Sequence, residues 1–132
     1  MMNEPELPAE VRQLIYSSVP SIDALELLMQ VVRQPDVPRS VLELITALRP
    51  AGVTEPVVRE SLALLRTQGI LSETPEGRIL YRPDSPVLER AIGLLLRAYN
   101  ERPVTLIRTV YAIADAKKIQ AFADAFKIKK DE

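Results

Sequence analysis

The chain has 132 residues, of which 47% are hydrophobic and 27% are charged, and its formal net charge at pH 7 is −1. This composition is typical of one globular domain and excludes a disordered chain. Because the sequence contains neither cysteine nor histidine, disulfides, thiolate or imidazole metal sites and histidine-based catalysis are excluded.

The charges are unevenly distributed along the chain. Residues 1–38 carry two basic and six acidic side chains, whereas residues 39–83 carry six arginines and five glutamates. The acidic start MMNEPELPAE lacks the layout of a signal peptide, and no apolar run approaches the roughly 18 residues of a membrane span. We therefore expect a cytoplasmic protein without a membrane segment, and we predict no cofactor.

Two amphipathic helices are predicted before the break at Pro35-Asp36-Val37-Pro38. The segment LPAEVRQLIYSSV forms the first and ends at Pro20. Ser21 is a good N-cap for the second. The predicted buried stripes comprise Leu7, Val11, Leu14, Ile15 and Val19 in the first helix, and Ile22, Leu25, Leu28, Met29 and Val32 in the second.

Two further helices are predicted on either side of Pro50-Ala51-Gly52. Ser40 caps VLELITALR, and Glu43 three residues later completes a capping-box pattern. Thr54 caps the fourth helix, which ends at Gly69. One side of this helix is mainly apolar, and the other side comprises Glu55, Arg59, Glu60, Ala63, Arg66 and Thr67.

After Gly69 the hydrophobic period changes from that of a helix to that of short strands. Ile70-Leu71-Ser72-Glu73 and Arg78-Ile79-Leu80-Tyr81-Arg82 flank Thr74-Pro75-Glu76-Gly77, which is a favourable turn sequence. The sequence therefore predicts one small antiparallel hairpin at about residues 70–82.

The remainder of the chain is predicted to be helical. One apolar helix starts after Asp84 and reaches Tyr99, and Pro103 begins the next. The ending KKIQAFADAFKIKK predicts a last short helix, whose buried residues would be Ile119, Phe122, Ala123 and Phe126. We expect the segment after residue 103 to be ordered, with its apolar residues covering either the core of the same chain or that of a partner. A homodimer through the C-terminal helices is the partner that we expect.

The pattern Val58-x3-Leu62-x2-Leu65-x3-Gly69-Ile70-Leu71, followed by a hairpin with Gly77, resembles the recognition helix and wing of winged helix-turn-helix domains. Bacterial transcriptional regulators of the multiple-antibiotic-resistance and arsenical-resistance types are similar, and the C-terminal part resembles small uncharacterised bacterial winged-helix proteins. The resemblance implies a mainly α fold with one small hairpin and additional terminal helices. Residues 1–20 would form the N-terminal helix, 21–83 the winged helix-turn-helix and 84–132 the C-terminal helices of one compact domain.

The same resemblance implies a DNA-binding transcriptional regulator. The fourth helix would enter the major groove of double-stranded DNA, and the hairpin would contact the backbone or the minor groove. Arginine suits phosphate and guanine geometry, and all six basic residues of 39–83 are arginines. The implied DNA-binding residues are Arg39, Ser40, Thr54, Arg59, Arg66, Arg78 and Arg82.

Two features favour an alternative, a winged-helix adaptor that binds another protein and no DNA. The connection Arg49-Pro50-Ala51-Gly52 is longer than is usual in these families, and phosphate would repel Glu55 and Glu60 on the presented face. An enzyme is the third alternative, but we find no nucleophile–base pair, glycine-rich phosphate loop or metal-ligand cluster to favour it. A small effector pocket between the core and the C-terminal helices also stays open, without a convergent polar group to mark it.

Overall fold

The computed structural model describes residues 6–130, with side chains described for residues 6–127. The described elements are α1 Ala9–Ser18, α2 Ile22–Val32, α3 Val41–Leu48, α4 Glu55–Thr67, β1 Leu71–Glu73, β2 Ile79–Tyr81, α5 Pro86–Glu101 and α6 Pro103–Lys130. The prediction of a mainly α fold with one small antiparallel hairpin is confirmed. Within the described range, no helix combines the length and the apolar content needed to cross a bilayer.

One hydrophobic core contains side chains from all six helices and both strands, and α2 lies at its centre. The predicted stripe of α2 is too narrow, because Leu27 and Val31 are buried as well as Leu25 and Leu28. α2 contacts α3, α4, α6 and β2, so apolar side chains are covered on nearly every side of this helix.

Serine side chains begin three of the helices. The Oγ atoms of Ser21, Ser40 and Ser85 accept hydrogen bonds from backbone N–H groups three residues later, at 3.1, 3.0 and 3.1 Å. These bonds satisfy N–H groups that the first turn of a helix leaves without a partner. Thr54 occupies the N-cap position of α4, but its hydroxyl makes no capping bond.

The hairpin is closed by a tight turn and extended by a third, single-residue pairing. The Gly77 N–H donates to the Thr74 carbonyl over 2.9 Å, and Gly77 has the positive φ of 81° that glycine adopts easily. Arg39, between α2 and α3, pairs with Ile79 of β2 through two backbone hydrogen bonds of 2.9 and 2.7 Å. This bridge attaches the start of α3 to the hairpin.

Two left-handed glycines frame α4. Residues Arg49–Ala51 form one 3-10 turn, and Gly52 follows with φ 80°, so the long connection predicted between α3 and α4 is present. Gly69 follows α4 with φ 77°, and the predicted left-handed stop is confirmed.

The C-terminal helices differ from the prediction. α6 is one continuous helix, so the expected separate short helix that buries Ile119, Phe122, Ala123 and Phe126 is wrong, and all four side chains are exposed. No glycine or proline interrupts the chain between Pro103 and Lys130, and nothing therefore turns the second half back onto the core. The core is instead covered by Leu106 and Val110 in the first half.

Candidate nucleic-acid interface

The outward side of α4, here called the α4 face, comprises Glu55, Arg59, Glu60, Ala63, Arg66 and Thr67. All six residues are exposed, whereas Val58, Ser61, Leu62 and Leu65 on the other side are buried. The predicted division of α4 into two sides is therefore confirmed. The helix packs on α2 and α3 through its apolar side and leaves a polar surface open to a partner.

Arg59 is held by a carboxylate one turn earlier on the same helix. Its Nη2 and Nε atoms lie 2.9 and 3.0 Å from Oε1 of Glu55. A glutamate four residues before an arginine is the favourable order for such a pair, because it also suits the helix dipole. Glu55 would repel a phosphate and Arg59 would attract one, and the two charges lie within one ion pair.

Arg66 connects α4 to the hairpin. Its Nη2 atom lies 3.0 Å from Oε2 of Glu73 on β1, and both side chains are about half exposed. A shallow groove of about 610 Å³ lies beside this pair, lined by Ala63, Arg66, Thr67, Leu71, Ser72 and Glu73. Arg66, which was predicted to contact the major groove, thus also forms an ion pair between α4 and β1.

Arg78 connects the other side of the hairpin to α3. Its Nη1 atom donates to Oε1 of Glu43 over 3.0 Å and to the Pro38 carbonyl over 3.4 Å. Glu43 was expected to complete the capping box of α3, and its carboxylate is occupied by Arg78. Arg78 on the hairpin therefore neutralises the charge of Glu43 on α3.

The remaining predicted residues have different surroundings. Arg82 is exposed, and in the described part of the chain its guanidinium has no carboxylate partner. Arg39 is half-buried, and its Nη1 atom is buried without a hydrogen-bond partner among the described residues. The Ser40 hydroxyl is engaged in capping, whereas Thr54 is exposed at the start of α4 with a hydroxyl that makes no capping bond.

The ion pairs of Arg59, Arg66 and Arg78 make the electrostatic potential of this surface less positive than the number of arginines suggests. Glu43 and Glu73 are the residues that sequence reasoning missed as partners, because both pairs depend on how the hairpin folds back onto α3 and α4. The Glu55–Arg59 pair carried a signal in its four-residue spacing. All three pairs are exposed, and such pairs stabilise a fold by only about 0–1 kcal/mol, so another anion can replace the carboxylate at low cost.

A second candidate site, the effector pocket, corresponds to a cavity of about 520 Å³ between α1 and the start of α5. Its lining is mainly apolar, and the Glu10 carboxylate at its rim is paired with Arg90 at 3.1 Å. No convergent group of charges points into this cavity from the described residues, and we assign it no ligand.

Comparisons with protein-family profiles, with curated proteins and with solved structures give no match for this chain. The function proposed below therefore depends on the geometry of the chain itself.

Proposed function

We propose that this protein is a DNA-binding transcriptional regulator of the winged-helix type. It would present the α4 face to the major groove of double-stranded DNA and the β1–β2 hairpin to the flanking backbone. One observation carries the proposal: a fully exposed polar helix face lies beside a two-stranded hairpin that is attached to both α3 and α4.

The order of the elements supports this function. α2 is followed by α3, α4, β1 and β2, and this is the order that the winged helix-turn-helix resemblance implies. The Arg39–Ile79 bridge fixes the hairpin to the start of α3, and the Arg66–Glu73 pair adds a weak contact between the hairpin and α4. A fixed hairpin can contact the backbone while the adjacent helix reads base edges.

The ion pairs make the proposed DNA binding weak but strongly dependent on salt. Duplex DNA carries about one phosphate charge per 1.7 Å, and its condensed counterions are released when arginine replaces them. Arg82 contributes such a contact directly, since its guanidinium has no carboxylate partner among the described residues. Arg66 and Arg78 first exchange a glutamate for a phosphate, which lowers their net contribution.

A second candidate, the protein-binding adaptor, is favoured by the same pairs. A surface on which opposite charges alternate is complementary to a mixed-charge protein surface, whereas DNA offers only negative charge. In that case Glu60, which is exposed and has no ion pair among the described residues, would contact a basic group of the partner.

The two candidates are separated by binding to random-sequence duplex DNA at about 50 and 200 mM salt. For the regulator we expect measurable binding that decreases steeply with salt. Arg82→Ala should weaken binding to every sequence and reduce the salt slope by about one. Arg59→Ala should lower affinity for a preferred site by about 1–3 kcal/mol.

Arg97→Ala on α5 is the matched control, because Arg97 pairs with Glu101 in the same four-residue spacing as Glu55 and Arg59. It should leave DNA affinity unchanged. Glu73→Gln should raise affinity and steepen the salt slope by about 0.9, since it releases Arg66. Negligible binding at both salt concentrations contradicts the regulator. Loss of a protein complex in Glu55→Lys and Glu60→Lys variants would then support the adaptor.

A further inference from the structure

α6 has two apolar sides, and only one of them packs on the core. Leu106 and Val110 are buried, and Ile113 is partly buried against the same core. At 3.6 residues per turn, a second apolar stripe lies on the opposite side of the helix. This outward stripe consists of Val104, Tyr111, Ile119, Phe122 and Phe126, all of which are exposed.

The second half of α6 extends beyond the body of the protein. Lys117 contacts α1, where its Nζ atom donates to the Tyr16 carbonyl over 2.8 Å and lies 4.5 Å from the centre of the Tyr16 ring. Every residue from 118 to 127 is exposed. Both phenylalanines of the protein are therefore on an unsupported helix.

The exposed apolar surface is large for a chain of this size. Tyr111, Phe122 and Phe126 are 59, 74 and 62% exposed. With aromatic side chains of about 150–250 Å², the exposed parts of Phe122 and Phe126 amount to roughly 270 Å². This is about a third of the roughly 800 Å² that each partner contributes to a standard interface, before Ile119 is added.

We propose that the part of the outward stripe formed by Ile119, Phe122 and Phe126 binds α6 of a second copy of this chain, in an antiparallel two-fold arrangement with its axis near residue 121. In such an interface both copies use the same surface. Such a dimer would form with or without DNA.

The distribution of large and small side chains supports the antiparallel register. An axis near residue 121 places Phe126 of one copy at the height of Ala116 of the other, and Ile119 at the height of Ala123. A large side chain opposite a small one allows two helices to approach closely. The two Phe122 rings lie about 3 Å apart along the helix direction, where they can contact each other across the axis.

The charges support the same orientation. Asp115 lies on the outward stripe in the first half of this segment, and the exposed Lys127 lies near its end. Antiparallel pairing brings Lys127 of one copy to the height of Asp115 of the other. Parallel pairing would place Asp115 beside Asp115 and Lys118 beside Lys118. These like charges would repel, and charges beside a helix interface select its orientation in this way.

The first test measures the oligomeric state of the full chain, without DNA, by sedimentation equilibrium over a wide range of concentrations. We expect a monomer–dimer equilibrium in which Phe122→Glu raises the dissociation constant by about thirtyfold or more. Ala121→Glu is the matched control, since it adds the same charge one residue away on an exposed side off the stripe, and it should leave the dimer intact. A monomer at every concentration, or a dimer unaffected by Phe122→Glu, overturns the proposal.

The second test keeps the phenylalanine at 122 and uses the absence of cysteine in the natural sequence. A short thiol-specific cross-linker should join Ala116→Cys chains to Phe126→Cys chains. It should not join Ala116→Cys chains to each other, because those positions lie about 15 Å apart along the helices. Self-cross-linking of Ala116→Cys at equal efficiency overturns the antiparallel register. A monomeric chain that instead binds anionic phospholipid vesicles through Phe122 overturns the second copy as the occupant.

Discussion

The α4 face and the outward stripe of α6 are both exposed helix surfaces, and they differ in what they present to water. On the α4 face, Arg59 and Arg66 already have carboxylate partners within the chain. On α6, Phe122 and Phe126 do not belong to the hydrophobic core, and both are more than half exposed. Two surfaces that are equally exposed can therefore differ, because the charges of one are already paired within the chain and the apolar side chains of the other are not covered.

The difference also separates the free-energy requirements of the two proposed interactions. DNA binding at the α4 face has to replace existing ion pairs, so its affinity should respond to salt and to substitution of the glutamates. Pairing of α6 removes apolar surface from water and breaks no ion pair of the stripe. Its affinity should therefore respond weakly to salt and strongly to loss of apolar area.

We expect the largest difference in stability between substitutions on the two sides of α6. Leu106 is fully buried, and Leu106→Ala should lower the free energy of unfolding by about 2–5 kcal/mol because it leaves a cavity. Phe122→Ala removes more atoms, yet it should change the stability of the monomer by less than about 0.5 kcal/mol. Urea denaturation at a concentration where the monomer predominates measures both values. Equal losses would show that Phe122 packs within its own chain.

An intermediate effect concerns the backbone that positions the hairpin beside α4. Gly69 has φ 77°, and a Cβ there would overlap the carboxyl group of Asp84. Gly69→Ala should therefore cost about 1–2 kcal/mol of stability. Gly93 in α5 has open space around it and no positive φ, so Gly93→Ala should stabilise the protein by up to about 1 kcal/mol. Thermal unfolding of the two variants gives the comparison, and a neutral Gly69→Ala would contradict it.

The smallest expected effect concerns the pair between Arg66 and Glu73. Both side chains are about half exposed, so a double-mutant cycle with Arg66→Gln and Glu73→Gln should give a coupling energy of about 0–1 kcal/mol. Unfolding at low salt measures it. A coupling of several kcal/mol would mean that this pair holds the hairpin in place, and that the α4 face cannot release Arg66 to a phosphate.

Local chemistry explains which parts of the fold were predictable. Ser21 and Ser40 accept hydrogen bonds from N–H groups three residues away, and Gly77 donates one within its own turn. The role of each residue can therefore be predicted from a few neighbouring residues. The exposed side of α4 follows from helical spacing. The Arg39–Ile79 bridge was not predicted, because a single-residue pairing leaves no hydrophobic period.

The candidate site was less predictable than the fold. The sequence identifies Arg66 and Arg78 as cations, but their partners Glu73 and Glu43 are brought to them by folding of the hairpin. The prediction for the end of α6 was wrong for another reason. Apolar residues at helical spacing indicate an amphipathic face, and the spacing does not say whether the same chain or another molecule covers it.

The bridge between Arg39 and Ile79 has a consequence for the order of folding. Strands of three residues are too short to persist as an isolated hairpin. The bridge joins positions far apart in sequence, and closing the chain between them costs less entropy once α3 and α4 have formed. The hairpin should therefore be a late structure in folding. The Ile79 amide, whose hydrogen bond to Arg39 closes the bridge, should exchange with solvent through opening of the whole domain and not through local fraying.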